Sequence, residues 1–191
     1  GVVLPLNALQ ILWINFFSDS FPAVAFAFEK RINGRSPMGE PERLSPRGRR
    51  AKQQLFDPLM RFIILVVGVS SSVLLLTLYL MLIYAGYDEA LVKTFIFACL
   101  GSYTLFVAFS VRSLEKSIFS YSPFSNLYLV AGIGIGIALM LLAIYAPILQ
   151  TIFNTIALPP IWLIAVVFVG MLNILAIETG KWIFRGRMVH Y

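Results

Sequence analysis

Long apolar stretches recur along the whole chain. Four of them lie at about 59–84, 91–110, 124–149 and 160–184, and each approaches or exceeds the roughly 20 residues that a helix needs to cross a bilayer. A fifth lies within residues 1–28. Hydrophobic residues make up 59% of the chain, whereas soluble domains contain about 45–50%. The sequence therefore predicts an all-α fold, a polytopic membrane helical bundle with about five transmembrane helices.

Basic residues are distributed unevenly between the predicted loops. Eight lysines and arginines lie in the Pro/Gly/Arg-rich loop 29–57 and others follow the third and fifth spans, whereas the loops on the opposite side contain only Lys93. The positive-inside rule then makes the basic loops and the C-terminus cytoplasmic. We interpret the net charge of +6 as membrane topology, not nucleic-acid binding. The expected location is the plasma (inner) membrane, in contact with the lipid bilayer.

The domain organisation follows from this pattern. Residues 1–28 form the first transmembrane helix, 29–57 the basic cytoplasmic loop, and 58–191 four further helices with a short cytoplasmic tail. The loop is long enough to pack against a larger cytoplasmic body but too polar to form a core alone. Because Gly1 stands at the edge of an apolar stretch, we expect the informative part of the protein to lie upstream.

Cysteine and histidine each occur once, as Cys99 and His190. Neither a disulfide framework nor a Cys/His metal site can form from one residue of each type. Oxygen ligands remain, and these favour hard cations.

The first apolar stretch carries the polar run "INFFSDSFP" at positions 14–22. Asn15, Ser18 and Asp19 are spaced by three and four residues, so a helix places them on one face. A carboxylate at the bilayer centre costs about 3 kcal/mol or more, so Asp19 should face protein or a water-filled cavity. Pro22 lacks a backbone donor and disfavours the carbonyl four residues earlier. The sequence therefore predicts that this helix is broken near Asp19 to Pro22.

An opened turn at membrane depth exposes carbonyl oxygens, which are tolerated only where they line a cavity. Together with Asn15, Ser18 and Asp19 they would form a set of hard oxygen donors for a dehydrated cation. The alternative is that Asn15 and Ser18 bond to neighbouring helices and Asp19 is buried in its neutral form.

The stretch "LPLNALQILWINFFSDSFPAVAFAFE" resembles the sixth transmembrane helix of P-type cation-transporting ATPases of the calcium-pump and sodium-pump type. "SPFSNLYLV" and "IETGKWIFR" are similar to the start of the family's ninth helix and the end of its tenth. The resemblance covers nearly the whole chain and implies the C-terminal transmembrane region, helices six to ten, with residues 1–28 as its specific part.

The resemblance implies that Asn15, Ser18 and Asp19 contact the transported cation. Ser18 replaces the family's threonine and keeps the hydroxyl, while Ser20 stands where the family usually has glycine. In pumps that carry two calcium ions the eighth helix supplies a further acid. The corresponding position here is close to Thr104, in a span without any acid.

We therefore interpret Ser102 and Thr104 first as ordinary interhelical hydrogen-bonding residues, with Thr104 as a weaker candidate ligand. The hypothesis that follows is one divalent ion per transport cycle. In that cycle Asp19 would hold the cation and take up a proton after its release, because a desolvated carboxylate without its cation favours the neutral form.

The function implied is that of the membrane portion of an ATP-driven pump, most simply for Ca2+, with an aspartyl-phosphate cycle in upstream domains. This chain shows no phosphorylation or nucleotide motif, so it should be inactive alone and hold no cofactor, while the complete pump uses ATP and Mg2+. Its partners would be the upstream transmembrane helices and the cytoplasmic phosphorylation domain. Two alternatives stay open: a fragment of a secondary transporter or channel, and a non-catalytic membrane subunit with a structural role.

Local patterns predict packing and caps. Gly132 and Gly136 form a Gly-x-x-x-Gly pair that allows close helix approach, and Glu178 is expected to pair with Lys181 or Arg185.

Helix starts are predicted in two loops. Asp88 is the expected N-cap of the third span, and Ser122 or Ser125 that of the fourth.

Overall fold

The structure is a computed structural model that describes residues 4–27, 61–62, 65, 67–111 and 126–188. The regular elements in these ranges are helices, which confirms the all-α prediction. In chain order they are α1 (Ala8–Ala27), α2 (Gly68–Tyr84), α3 (Glu89–Val111), α4 (Leu127–Tyr145), α5 (Pro147–Phe153) and α6 (Pro160–Met188). The predicted loop 29–57 lies outside the described residues.

Three segments of these helices are long and apolar enough to cross a membrane: Glu89–Ala108, Leu127–Tyr145 and Pro160–Ile183. Helix α2 is also apolar but has only 17 residues in the described part. Helix α1 has 20 residues but is not among the three, because its polar run lowers its mean hydropathy. Together with the composition, these segments identify an integral membrane protein.

Helix α3 lies at the centre of the bundle and contacts α1, α2, α4 and α6, while α1 packs along α4. Glycines bring the helices close together. A Cβ atom at Gly136 of α4 would lie 2.6 Å from the side chain of Leu105 in α3, and one at Gly132 would lie 3.1 Å from the main chain of Phe21 in α1. The predicted close approach at this glycine pair is therefore confirmed.

Helix α1 runs unbroken from Ala8 to Ala27 with Pro22 inside it. The predicted break near Asp19 to Pro22 is therefore wrong. A proline removes one backbone hydrogen bond, but a membrane helix tolerates this where neighbouring helices pack around the weakened turn. Pro22 is buried, and α4 packs against the preceding residue at Gly132.

The predicted span 124–149 is not one helix: it covers α4 and the first residues of the short α5, which meet at the extended residue Ala146. Pro147 opens α5 at a position where the missing N–H costs nothing. Asn154 ends it in the left-handed conformation, with φ of 52°, which is a common way to end a helix.

The helix caps match one of the two predictions. The Leu91 N–H donates to Asp88 Oδ2 at 3.1 Å, which confirms Asp88 as a cap. At the start of α4 the cap is Asn126, whose Oδ1 accepts from the Leu129 N–H at 3.0 Å. The prediction of a serine cap is therefore wrong, and Ser122 and Ser125 themselves lie outside the described residues.

Contacts between the helices define two ends of the bundle. At the α5 end, the N-terminus of α1 meets α5, and Thr94 near the start of α3 accepts from the Ile156 N–H. At the Lys181 end, Lys181 of α6 donates to the carbonyl oxygen of Ser110 in the last turn of α3. Lys181 also forms the predicted ion pair with Glu178, at 2.7 Å.

Candidate cation site on the first helix

Helix α1 has two different faces. Gln10, Ile14, Phe17 and Ala25 are almost completely buried, and their spacing of three, four and eight residues places them on the side that packs against α3 and α4. The other side carries Asn15, which is exposed in the described part of the chain; this side is the open face of α1. One side of α1 thus holds the helix in the bundle, and Asn15 lies on the other side.

The predicted site residues lie on or beside this open face. Asn15 is exposed and Ser18 is half-buried. Position 19 follows Asn15 by four residues in the same unbroken helix, so it lies on the same side; the side chain of Asp19 is outside the described part. The structure thus keeps the three positions together within little more than one turn.

Thr104 lies on α3, not on the helix that carries these three positions. It is half-buried, and its hydroxyl donates to the carbonyl oxygen of Gly101 in its own helix at 2.9 Å. Ser102 instead reaches a neighbouring helix, with its hydroxyl 3.6 Å from the sulfur of Met140 in α4. Of the two predicted interhelical contacts, the structure shows the one from Ser102.

An apolar groove of about 410 Å³ lies beside the α5 end of α1, lined by Leu9, Leu12, Trp13, Phe16, Ile152 and Phe153. Its lining contains almost no polar surface, so it lacks the oxygen ligands that a hard cation requires. Nor do three or more His, Cys, Asp or Glu side chains come together anywhere in the part of the chain that the structure describes.

The N-terminus of α1 carries polar contacts that the sequence analysis missed. The Gln10 N–H donates to Asn7 Oδ1 at 2.8 Å, and the Asn7 N–H donates to Gln10 Oε1 at 3.0 Å. Both side-chain amides also donate to the carbonyl oxygen of Phe153 at the end of α5. The spacing Asn7-x-x-Gln10 is that of a capping box, a signal that could have predicted the local part of this arrangement.

The family model described as "Cation transporting ATPase, C-terminus" matches residues 3–183. The chain therefore belongs to this family. This family is the C-terminal region of P-type cation ATPases. The resemblance inferred from the sequence is therefore confirmed.

Several curated relatives of this chain are named calcium-transporting ATPases. A protein named calcium-transporting ATPase from Bacillus subtilis is 34% identical over 82% of this chain. Calcium-transporting ATPase 1 of Yarrowia lipolytica is 29% identical over 98%, and mouse calcium-transporting ATPase type 2C member 2 is 35% identical over 79%. The chain spans 17%, 19% and 15% of these relatives, respectively. It matches their C-terminal membrane region.

Proposed function

We propose that this chain is the membrane portion, helices six to ten, of an ATP-driven pump that moves Ca2+ across a membrane. The aspartyl-phosphate chemistry takes place in cytoplasmic domains outside these 191 residues, with ATP and Mg2+ as their substrate and cofactor. The chain itself holds neither a phosphorylation nor a nucleotide site and hydrolyses nothing alone.

The observation that carries this proposal is the position of the polar run on α1. Asn15 lies on the face that α3 and α4 do not cover, and Asp19 follows one turn later. An exposed amide with a carboxylate residue one turn later is expensive in a membrane helix unless polar partners meet them. Upstream transmembrane helices would cover this face and complete the site with their own oxygen ligands.

The orientation follows from the charges of the loops. The Lys181 end, next to the basic loops, faces the cytoplasm, and the α5 end faces the opposite side of the plasma membrane. Loop 29–57 contacts the phosphorylation domain. In this orientation α1 enters from the outside, and the positions of Asn15 and Asp19 lie in the middle part of the helix, at the depth expected of a transported ion.

The site takes one divalent cation per cycle. Asn15, Ser18 and Asp19 supply one amide, one hydroxyl and one carboxylate, and α3 contributes no acid beyond Glu89 at its first residue. Thr104 offers only a neutral hydroxyl oxygen, whose proton is donated to the Gly101 carbonyl oxygen of its own helix; without a carboxylate beside it, we assign it at most a minor role as a ligand. A second divalent ion would lack the negative charge needed to offset its dehydration.

The first test uses the full-length pump in sealed vesicles. Asp19→Asn removes the carboxylate charge and should reduce Ca2+ uptake to background, while a phosphoenzyme still forms from inorganic phosphate. Unchanged uptake would remove Asp19 from the site. It would also remove the proposed exchange of the cation for a proton at this carboxylate.

A second measurement tests the ion count. The ratio of Ca2+ transported to ATP hydrolysed is expected to be one, and a ratio of two would contradict the single-ion site. An acid-stable phosphoenzyme formed from ATP separates the pump from a secondary transporter, because only the pump forms an aspartyl phosphate.

A further inference from the structure

We propose that Gln10 and Asn7 are positioning residues for the cation site. They fasten the start of α1 to the carbonyl oxygen of Phe153, and thereby fix the height and the rotation of α1 at Asn15 and Asp19. This inference rests on the proposed function for its link to Ca2+, but not for the fastening itself. Neither Gln10 nor Asn7 belongs to the proposed ligand set.

The contacts at Phe153 form a closed arrangement. Gln10 Nε2 and Asn7 Nδ2 donate to the Phe153 oxygen at 3.1 and 3.0 Å, and the two residues also exchange hydrogen bonds with each other. Gln10 is 1% exposed. A buried amide without partners is costly, so this geometry is strongly preferred over a rotated α1.

The carbonyl oxygen of Phe153 has no hydrogen-bond partner within its own helix, α5. Phe153 is the last residue of α5, and the final carbonyls of a helix have no partner within the helix. The Trp13 ring lies 5.1 Å from the Phe153 ring, and Trp13 Nε1 donates to the Leu139 oxygen of α4 at 3.4 Å. The start of α1 is thus held to both α4 and α5.

The acceptor is itself held in place by the end of α4. Gln150 Nε2 donates to the Ile144 oxygen at 2.6 Å, and Thr155 Oγ1 donates to the Ala143 oxygen. These contacts fix the position of Phe153 relative to α4, and α1 packs along the same helix. Rotation of α1 would break the contacts at Phe153 and the packing on α4 together.

The distance from the fastening to the site is short. Asn15 follows Gln10 by five residues, or about 7.5 Å along the helix axis. An unbroken helix transmits a rotation at Gln10 directly to Asn15, and ligand sites are sensitive to displacements of about 1 Å. Loss of the fastening should therefore weaken cation binding without removing a ligand.

The test compares two identical substitutions in the full-length pump. Gln10→Met keeps the length of the side chain and deletes both contacts to Phe153 and Asn7. Gln150→Met deletes an amide contact of the same kind between α5 and the end of α4, and leaves the hydrogen bonds of Asn7 and Gln10 to Phe153 in place. If Gln10→Met does not accumulate, Asn7→Asp replaces it, because it deletes the donor to Phe153 and keeps the acceptor for the Gln10 N–H.

Two readouts are taken on each variant: hydrogen exchange of the peptides covering 5–14 and 150–157, and Ca2+-dependent ATP hydrolysis. Gln10→Met should raise the Ca2+ concentration for half-maximal activity about five- to tenfold, with the maximal rate within about twofold. Asn7→Asp should raise it about threefold. Exchange in 5–14 should accelerate in both. Gln150→Met should accelerate exchange mainly in 150–157 and raise the Ca2+ requirement less than Gln10→Met, because both amide contacts of α1 to Phe153 remain.

An unchanged half-maximal concentration in folded Gln10→Met pump would overturn the inference, and so would an equal rise in Gln150→Met. A different result would contradict the proposed function of the pump. The wild-type pump would then show no activation by Ca2+, while faster exchange of 5–14 in Gln10→Met alone would still support the fastening.

Discussion

Gly132 of α4 packs directly against the main chain of Phe21 in α1. A Cβ atom at position 132 would lie 3.1 Å from the Phe21 carbonyl oxygen and 3.3 Å from its carbonyl carbon. Phe21 follows Ser18 by three residues and immediately precedes Pro22. The glycine therefore sets the separation of the two helices beside the proposed cation site, at the turn that the proline weakens.

Gly132→Ala should push α1 away from α4 by a few tenths of an ångström. Overpacking of this kind costs about 1–3 kcal/mol, and the better helix propensity of alanine returns up to about 1 kcal/mol. We expect a net loss of stability and about a threefold higher Ca2+ requirement for activity. Thermal unfolding of the purified pump and its Ca2+-dependent hydrolysis measure the two effects.

The matched control for this substitution lies two residues away in the same helix. A Cβ atom at Gly134 would meet nothing within 4 Å in the described part of the chain. Gly134→Ala should leave the Ca2+ requirement unchanged and keep or slightly raise the melting temperature. Equal losses in both variants would mean that α4 needs flexible glycines, and that the contact with Phe21 is not decisive.

Lys181 forms a buried ion pair within α6 and also joins α6 to the end of α3. The Lys181 and Glu178 side chains are 5% and 10% exposed, and Lys181 also donates to the Ser110 oxygen. Lys181→Met removes the cation of this buried ion pair, and breaking a buried pair by removing one partner typically costs about 3–5 kcal/mol. We expect a large fall in folded yield and in resistance to detergent unfolding, with most of the loss recovered in Lys181→Met/Glu178→Gln.

Lys93→Met serves as the comparison for this pair. Lys93 and Glu89 are also within 2.6 Å, but their side chains are 25% and 51% exposed. Exposed pairs contribute at most about 1 kcal/mol, so this variant should unfold like the wild type. A loss at position 93 as large as that at position 181 would contradict the argument from burial.

Sequence patterns predicted the bundle because bilayer-length apolar stretches and loop charges are local features. They also predicted the ion pair of Glu178 with Lys181, since a spacing of three residues brings side chains together on a helix. The unbroken path of α1 through Pro22 could not be predicted in this way. It depends on α4 packing against Phe21, and no pattern within residues 1–28 contains that contact.

The fastening at Phe153 shows the same limit. The spacing of Asn7 and Gln10 indicates a helix N-terminus, but the common acceptor lies more than 140 residues later in the chain. The candidate site could be predicted in part. Its residue types and spacing are readable from the sequence, whereas the open face of α1 became visible only once the packing against α3 and α4 was known.

A buried polar contact joins α2 to α6. The Ser71 hydroxyl donates to Asn173 Oδ1, and Asn173 Nδ2 donates to the Val169 oxygen of its own helix at 3.0 Å. Interhelical hydrogen bonds in membranes average about 0.6 kcal/mol and reach about 1.7 kcal/mol. A double-mutant cycle with Ser71→Ala and Asn173→Ala should give a coupling in this range, and a coupling of zero would show that the contact adds nothing to helix association.

Thr104 provides the test of the single-ion site within this chain. Its hydroxyl donates to the Gly101 oxygen in its own helix, so Thr104→Val removes one local hydrogen bond and keeps the shape of the side chain. We expect the Ca2+ requirement to stay within about twofold of the wild type, because the lost bond lies within α3: its cost of about 1 kcal/mol or less falls on the stability of the helix and not on cation binding. Radioactive Ca2+ uptake at limiting concentrations measures this directly. A tenfold weaker uptake would make Thr104 a ligand and would reopen the possibility of a second ion between α1 and α3.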